Sequence, residues 1–257
     1  MGQWPAYKGN LYFTANNDEL VVKRQDIKWQ FEASSRLFYP AVSDHKIYVL
    51  DQASTLYCLD EETGALIFKS PLPQVMGRFR SASRVSGKVK APLIQGGVVV
   101  VTGADMIYAF DKNTGQPLWA RPGVNENAVA ASASLDGIYS IPLIVGDTVF
   151  YGTRNSFMAR NLKNGHVVWQ NDDIKSWNGF PGFYGETLLV QSRDYRKNET
   201  RLYALNAKDG KILWSQKLET PLEILPPAVF DEKVYLPSSK NLMCLDLKTG
   251  AVLWVKA

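Results

Sequence analysis

The stretch Ile107-Tyr108-Ala109-Phe110-Asp111-Lys112-Asn113-Thr114-Gly115-Gln116-Pro117-Leu118-Trp119 reads as a strand, a tight turn and a second short strand. Ile107 to Phe110 is apolar and aromatic, which suits a pleated, half-buried surface. Asp111 to Gly115 is turn chemistry, with Gly where the backbone needs a positive φ. Working outward, Pro92-Leu93-Ile94 is a short apolar run, Gly96-Gly97 a turn signal and Val98 to Thr102 a β-branched strand. Four short strands with turns between them predict a four-stranded antiparallel blade.

The spacing recurs. A small residue, a Gly six positions on and an aromatic ten positions on occur as Cys58/Gly64/Phe68, Ala109/Gly115/Trp119, Ala159/Gly165/Trp169, Ala204/Gly210/Trp214 and Cys244/Gly250/Trp254. Self-similarity at 40 to 51 residues marks a repeat architecture. Pro40, Pro92, Pro142 and Pro227 hold one register, at a strand start where no ladder donor is lost. A sixth, degenerate unit is read at the N-terminus from Pro5-Ala6-Tyr7, Leu11-Tyr12-Phe13, Glu19 to Val22 and Lys28 to Phe31, with Trp29 as its anchor and no Thr-Gly turn. The expected fold is all-β: a single β-propeller of six four-stranded blades, at approximately 1–33, 34–72, 86–122, 136–172, 176–218 and 221–257. The aromatic anchors bury more area than any other side chains, and losing one buried Trp should cost roughly 3–5 kcal/mol.

Composition narrows the function. The chain has 257 residues, 46% hydrophobic and 21% charged, so it is globular. A formal net charge of +4 falls short of the basic stripe of a nucleic-acid binder. No run of about 18 apolar residues exists to span a membrane. The opening MGQWPAYKGN has no basic segment followed by an apolar run, so no signal peptide is expected in these residues. That leaves a mature periplasmic or envelope protein whose signal has been removed, or a cytoplasmic one. Cys58 and Cys244 share one repeat position in distant repeats, so both are expected to be free thiols standing where Ala stands elsewhere.

Stretches such as Leu202-Tyr203-Ala204-Leu205-Asn206-Ala207-Lys208-Asp209-Gly210-Lys211-Ile212-Leu213-Trp214 resemble the pyrroloquinoline-quinone-type (PQQ-like) propeller repeat. The resemblance covers essentially the whole chain. It implies a docking motif in which Trp29, Phe68, Trp119, Trp169, Trp214 and Trp254 stack against neighbouring backbone, with Gly64, Gly115, Gly165, Gly210 and Gly250 as its glycines. The opening Trp4 to Asn10 is similar to the start of exported members after their signal or lipid anchor. Among functions, the resemblance is to propeller lipoproteins that assist outer-membrane β-barrel assembly. Fold alone does not decide this, because such propellers serve many roles.

Departures from the repeat mark where function is sought. The anchor-to-Pro link lengthens at about 70–90 and 120–140, and an insertion falls at 192–201. In a four-stranded meander these links emerge on one end, and elaborated loops on a rigid scaffold are where binding resides. From Lys69 to Lys90 there is no acid, while Arg78, Phe79, Arg80 and Arg84 combine charge with an aromatic. Trp177 and Phe180 lie outside the anchor register, and Arg193, Tyr195 and Arg196 crowd the 192–201 insertion. Arg and aromatics are enriched at interface hot spots, so these nine residues are the candidate partner-binding set. Solvated loop charge is the bland alternative for each.

Catalytic chemistry is not evident. His45 and His166 fall in turns of different blades, with no zinc spacing. There is no nucleophile elbow, Walker loop or dinucleotide fingerprint. Asp60, Asp111 and Asp246, aligned with Asn161 and Asn206, read as turn formers, and Asn198-Glu199-Thr200 as a chance glycosylation match. Quinone dehydrogenases of the resembling family are longer, eight-bladed and calcium-dependent, with adjacent cysteines over the cofactor; this chain has no adjacent cysteines. The expectation is a protein with no metal and no cofactor: a non-catalytic scaffold, monomeric by itself, docking another protein on the face of the three insertions. A ligand-binding or sensor propeller for a sugar or other small molecule is the alternative, and a carbohydrate-active enzyme the second.

Overall fold

Five antiparallel four-stranded meanders account for all the strands of the computed structural model, which describes residues 27–73, 91–103, 106–123, 137–138, 140–174, 181–194, 197, 199–218, 227–237 and 241–256. No helix occurs among the described residues. The first sheet comprises β1 (Ala41–Ser43), β2 (Lys46–Leu50), β3 (Thr55–Asp60) and β4 (Leu66–Pro71). The second comprises β5 (Leu93–Gln95), β6 (Val98–Thr102), β7 (Met106–Asp111) and β8 (Pro117–Pro122). The third comprises β9 (Leu143–Val145), β10 (Thr148–Gly152), β11 (Phe157–Asn161) and β12 (Val167–Asn171). The fourth comprises β13 (Gly182–Tyr184), β14 (Thr187–Asp194), β15 (Glu199–Asn206) and β16 (Ile212–Leu218). The fifth comprises β17 (Ala228–Phe230), β18 (Lys233–Pro237), β19 (Leu242–Asp246) and β20 (Val252–Lys256). Each prolyl residue of the repeat register directly precedes its sheet's first strand, as expected.

The recurring spacing has a geometric cause. In every sheet the small residue lies directly across from the aromatic: Cys58 opposite Phe68, Ala109 opposite Trp119, Ala159 opposite Trp169, Ala204 opposite Trp214 and Cys244 opposite Trp254. A bulge follows the small residue each time, which re-aims the strand locally. The hairpin turn between them ends on Gly64, Gly115, Gly165, Gly210 or Gly250, all at φ 71–72°.

The aromatic then reaches forward, out of its own sheet. Its ring covers the turn glycine of the next repeat: Trp29 on Gly64, Phe68 on Gly115, Trp119 on Gly165, Trp169 on Gly210 and Trp214 on Gly250. The indole Nε1–H donates to the carbonyl three residues before that glycine. These bonds run from Trp29 to Glu61 (3.0 Å), Trp119 to Leu162 (2.8 Å), Trp169 to Ala207 (2.9 Å) and Trp214 to Leu247 (2.8 Å). Phe68 has no N–H to give. There the Tyr48 hydroxyl donates to the matching carbonyl, Lys112 O, at 3.0 Å, and Ser70 Oγ donates to Gly115 O at 2.7 Å. Lys46 Nζ adds a bond to Asn113 Oδ1 at 2.9 Å, and Lys112 pairs with Asp44.

The chain divides into two compact units, one of Met1–Gly137 with Leu162–Gly165, the other of Ile138–Asn161 with His166–Ala257. In the first, Tyr48, Leu56, Cys58 and Phe68 pack with Ile94, Val99, Val101, Tyr108 and Phe110. In the second, Leu189, Leu202, Ala204 and Trp214 pack with Val234, Leu236 and Leu245. Cys58 and Cys244 are both free and buried, as expected. Burial pushes the Cys58 thiol up to about 11.

Two expectations need adjustment. The 192–201 insertion is not a loop. It lengthens two strands instead, with Ser192 paired to Arg201, Arg193 to Thr200 and Asp194 to Glu199. A continued ladder satisfies backbone groups that a loop would leave to water. Lys28 to Phe31, expected as a fourth strand, carries no strand assignment, although Trp29 makes its anchor contact. The rest of the expected first blade, residues 1–26, lies outside the described residues.

Candidate functional site

In each meander the turn between strands one and two and the turn between strands three and four emerge at one end. The strand 2–3 link and the exit from strand 4 emerge at the other. In the second unit this link end carries the lengthened β14–β15 hairpin beside the exit from β12. Between them lies a cavity of about 290 Å³. Asp172 and Asp173, just after β12, line one side; Ser192, Asp194, Glu199, Arg201 and Tyr203 line the other, with Lys197 at the hairpin tip.

The cavity's charges are partly committed. Arg201 Nε donates to Glu199 Oε1, and Arg201 Nη1 donates to Ser215 Oγ at 3.1 Å. Lys217 Nζ lies 3.5 Å from Glu199 Oε2. The Arg201 hydrogen bond, and then the charges of Arg201 and Lys217, hold the Glu199 carboxyl below the usual range. Asp194 Oδ1 accepts from the Lys197 backbone N–H at 3.2 Å. Burial raises the Tyr203 phenol. Among the described residues, four carboxylates thus face three cations, Lys197, Arg201 and Lys217, a small acidic excess. The sequence reading weighted its arginines; pairing with Glu199 neutralises Arg201.

Of the nine candidate partner-binding residues, the structure describes Arg193, half-buried on β14. Arg78, Phe79, Arg80, Arg84, Trp177, Phe180, Tyr195 and Arg196 lie outside the described residues. Asp172, Asp173 and Tyr203 were not singled out by sequence, and Glu199 entered only as an acid that offsets the basic residues of the insertion. The available signal was the Asn171-Asp172-Asp173 run after an anchor, which gains meaning once the strand ends are assigned to the link end. A second concavity, an open groove of about 800 Å³ in the first unit, is lined by Trp29, Phe31, Phe38, Ile47, Val49 and Leu59 among others. Its lining is predominantly apolar, with Gln30 and Glu32 adding polar side chains.

Among the described residues no three His, Cys, Asp or Glu side chains converge as a metal site. No helix among them is long and apolar enough to cross a membrane.

Five four-stranded sheets joined by aromatic-to-glycine seams place the protein in the β-propeller class built from PQQ-type repeats. Within that class, residues 9–173 and 171–257 match the sequence profile described as outer membrane protein assembly factor BamB, and the chain belongs to that family. Its relatives include the outer membrane protein assembly factor BamB of Shewanella oneidensis, 21% identical over 232 residues, covering 88% of this chain and 55% of that protein. They also include the tetrathionate hydrolase of Acidithiobacillus ferrooxidans, 24% identical over 272 residues, covering 95% of this chain and 51% of that protein. The chain thus spans about half the length of these relatives. Its fold is similar to the crystal structure of BamB from Moraxella catarrhalis, with a TM-score of 0.66 at 19% identity, covering 89% of this chain and 64% of that one. It is also similar to a europium-containing methanol dehydrogenase, with a TM-score of 0.73 at 16% identity, covering 99% and 58%.

Proposed function

We propose that this protein is a non-catalytic interaction scaffold of the cell envelope, an accessory subunit in outer-membrane protein assembly working on the periplasmic side. Family membership supports the setting. The observation that carries the reading at the level of residues is the β14–β15 hairpin, lengthened past its counterparts and flanked by the Asp172–Asp173 exit. Its paired strand ends offer a charged edge for a partner protein with a basic segment. Complementary charge would steer the encounter and fix register more than it would raise affinity.

The test is co-purification with an outer-membrane β-barrel assembly partner, using a variant whose residues 193–200 are replaced by a two-residue Asn-Gly turn. We expect recovery to fall at least tenfold while the melting temperature holds. Unchanged recovery would move the docking surface elsewhere, and absence of any such partner would count against the role itself.

The tetrathionate hydrolase relative favours one second reading, a hydrolase acting on a sulfur oxyanion. The carboxylates of Asp172, Asp173 and Asp194 would disfavour an anionic substrate at this cavity. An assay for tetrathionate consumption by the purified chain decides between the two.

A further inference from the structure

The third sheet carries a polar pair where the other four sheets are apolar. Arg160 follows the small residue of the recurring spacing, and the matching positions hold Leu59, Phe110, Leu205 and Leu245. Tyr151 follows the residue opposite that small one, and its counterparts are Val49, Val101, Val190 and Leu236. All of these side chains are buried, and Arg160 and Tyr151 are both 0% exposed. Val149 stands across from Arg160 and Tyr151 across from Met158, so the pair shares one face of its sheet. The guanidinium spans the diagonal between them: Arg160 Nε donates to the Tyr151 hydroxyl at 2.7 Å.

A sheet of this register does not need the pair in order to form, because the other four form with apolar residues at both positions. Burying a guanidinium carries a desolvation cost that a leucine does not. It also brings five N–H donors, and each requires an acceptor wherever the face is covered. Nε meets that need inside the sheet. An apolar surface of the kind that suits the other four sheets cannot meet the rest. The pair therefore discriminates among neighbours, as a buried polar residue does when it fixes the register of a coiled coil. Discrimination matters in this chain because sheets built on one pattern can dock in the wrong order, a characteristic failure of repeat proteins.

We propose that Arg160 and Tyr151 are a placement key, which keeps the third sheet from docking in any other sheet's place while the chain folds. The key raises the fidelity of folding and lowers the stability of the folded state. Arg160 carries the discrimination, because its donors are the groups that a wrong neighbour leaves unmatched. Tyr151 makes the buried guanidinium tolerable by accepting from Nε within the same sheet.

The test is refolding by dilution from urea of the double variant Arg160→Leu, Tyr151→Val, which restores the apolar pattern of the other sheets. Its melting temperature should hold or rise. Recovery of monomer with native tryptophan emission should fall at least threefold, and equally at every protein concentration, since misplacement happens within one chain. Tyr151→Phe is the control: it keeps the guanidinium but removes its acceptor, so the melting temperature should fall while recovery holds. Unchanged recovery in the double variant would overturn the proposal. A lower melting temperature in the double variant, or its failure to fold, would make the pair a plain contributor to stability and overturn it equally. A loss of recovery that vanishes on dilution would be aggregation between chains, and a loss in Tyr151→Phe as large as in the double variant would tie recovery to stability; either result sinks the key.

Discussion

A methyl group added at Gly210 would lie 2.5 Å from the Trp169 ring, on a backbone at φ +72°. Two penalties therefore coincide: a left-handed conformation that Cβ disfavours, and overpacking against an aromatic. Together they should make Gly210→Ala cost roughly 2–5 kcal/mol in urea unfolding. Gly97 separates the two terms, because at φ +83° it has nothing within 4 Å; Gly97→Ala should cost only the strain, about 1 kcal/mol. Tyr48 invites a different experiment. Tyr48→Phe leaves Lys112 O without its 3.0 Å donor and should cost about 1 kcal/mol. Phe68→Trp supplies an indole at the position that serves this carbonyl elsewhere. The double variant should recover most of the loss, and a double-mutant cycle showing simple additivity would refute the substitution of one donor for another. None of this partnership was legible in sequence, because the hydroxyl that serves the Phe68 seam sits twenty residues away on another strand.

At the scale of the element, the Asp-x-x-Thr-Gly turn is a self-contained unit. Asp60 Oδ1 accepts from the backbone N–H of Thr63 at 2.8 Å and from its hydroxyl at 2.7 Å; Asp111 with Thr114 and Asp246 with Thr249 repeat the arrangement. Hydrogen bonds from the Thr hydroxyl and backbone hold all three carboxyls below their usual range. A depressed folded pKa stabilises the fold above the unfolded pKa, and that contribution is lost as pH falls through the folded one. Stability should therefore decline from about pH 4 downward. Asn206 Oδ1 accepts the N–H two residues on, from Lys208 at 2.8 Å, as Asp60 does from Glu62 at 3.0 Å, without titrating. The triple variant Asp60→Asn, Asp111→Asn, Asp246→Asn should show a shallower acid decline in thermal melts at stepped pH; an unchanged slope would mean other carboxylates govern it. These turns and the strands around them were readable because their determinants lie within five residues of one another. The lengthened β14–β15 hairpin was not. An insertion in sequence does not reveal whether its residues extend a ladder or leave it, and the choice depends on β16 continuing to Leu218 alongside.

On the scale of the whole chain, repetition made the fold class legible and hid the site. The anchor spacing encodes a contact between successive repeats, so one pattern found five times carries the architecture. The cavity at the link end assembles Asp172 and Asp173 with residues twenty to thirty positions later, and no local pattern announces that meeting. Its proposed role predicts a salt dependence. If the acidic lining contacts a basic partner, recovery should weaken as salt rises from low to physiological strength, and Asp172→Asn with Asp173→Asn should flatten that response without altering the melting temperature. A salt-insensitive complex would place the contact away from these carboxylates. The forward reach of each aromatic has one more consequence, an optical one. Trp29, Trp119, Trp169 and Trp214 each place a fluorophore, its N–H held by a carbonyl, at one seam. Over a background from Trp4, Trp177 and Trp254, indole emission therefore responds to the opening of four seams and is dark at the fifth, where Phe68 stands. Opening there would register only through the tyrosine absorbance of Tyr48, so the two spectra read different parts of the same molecule.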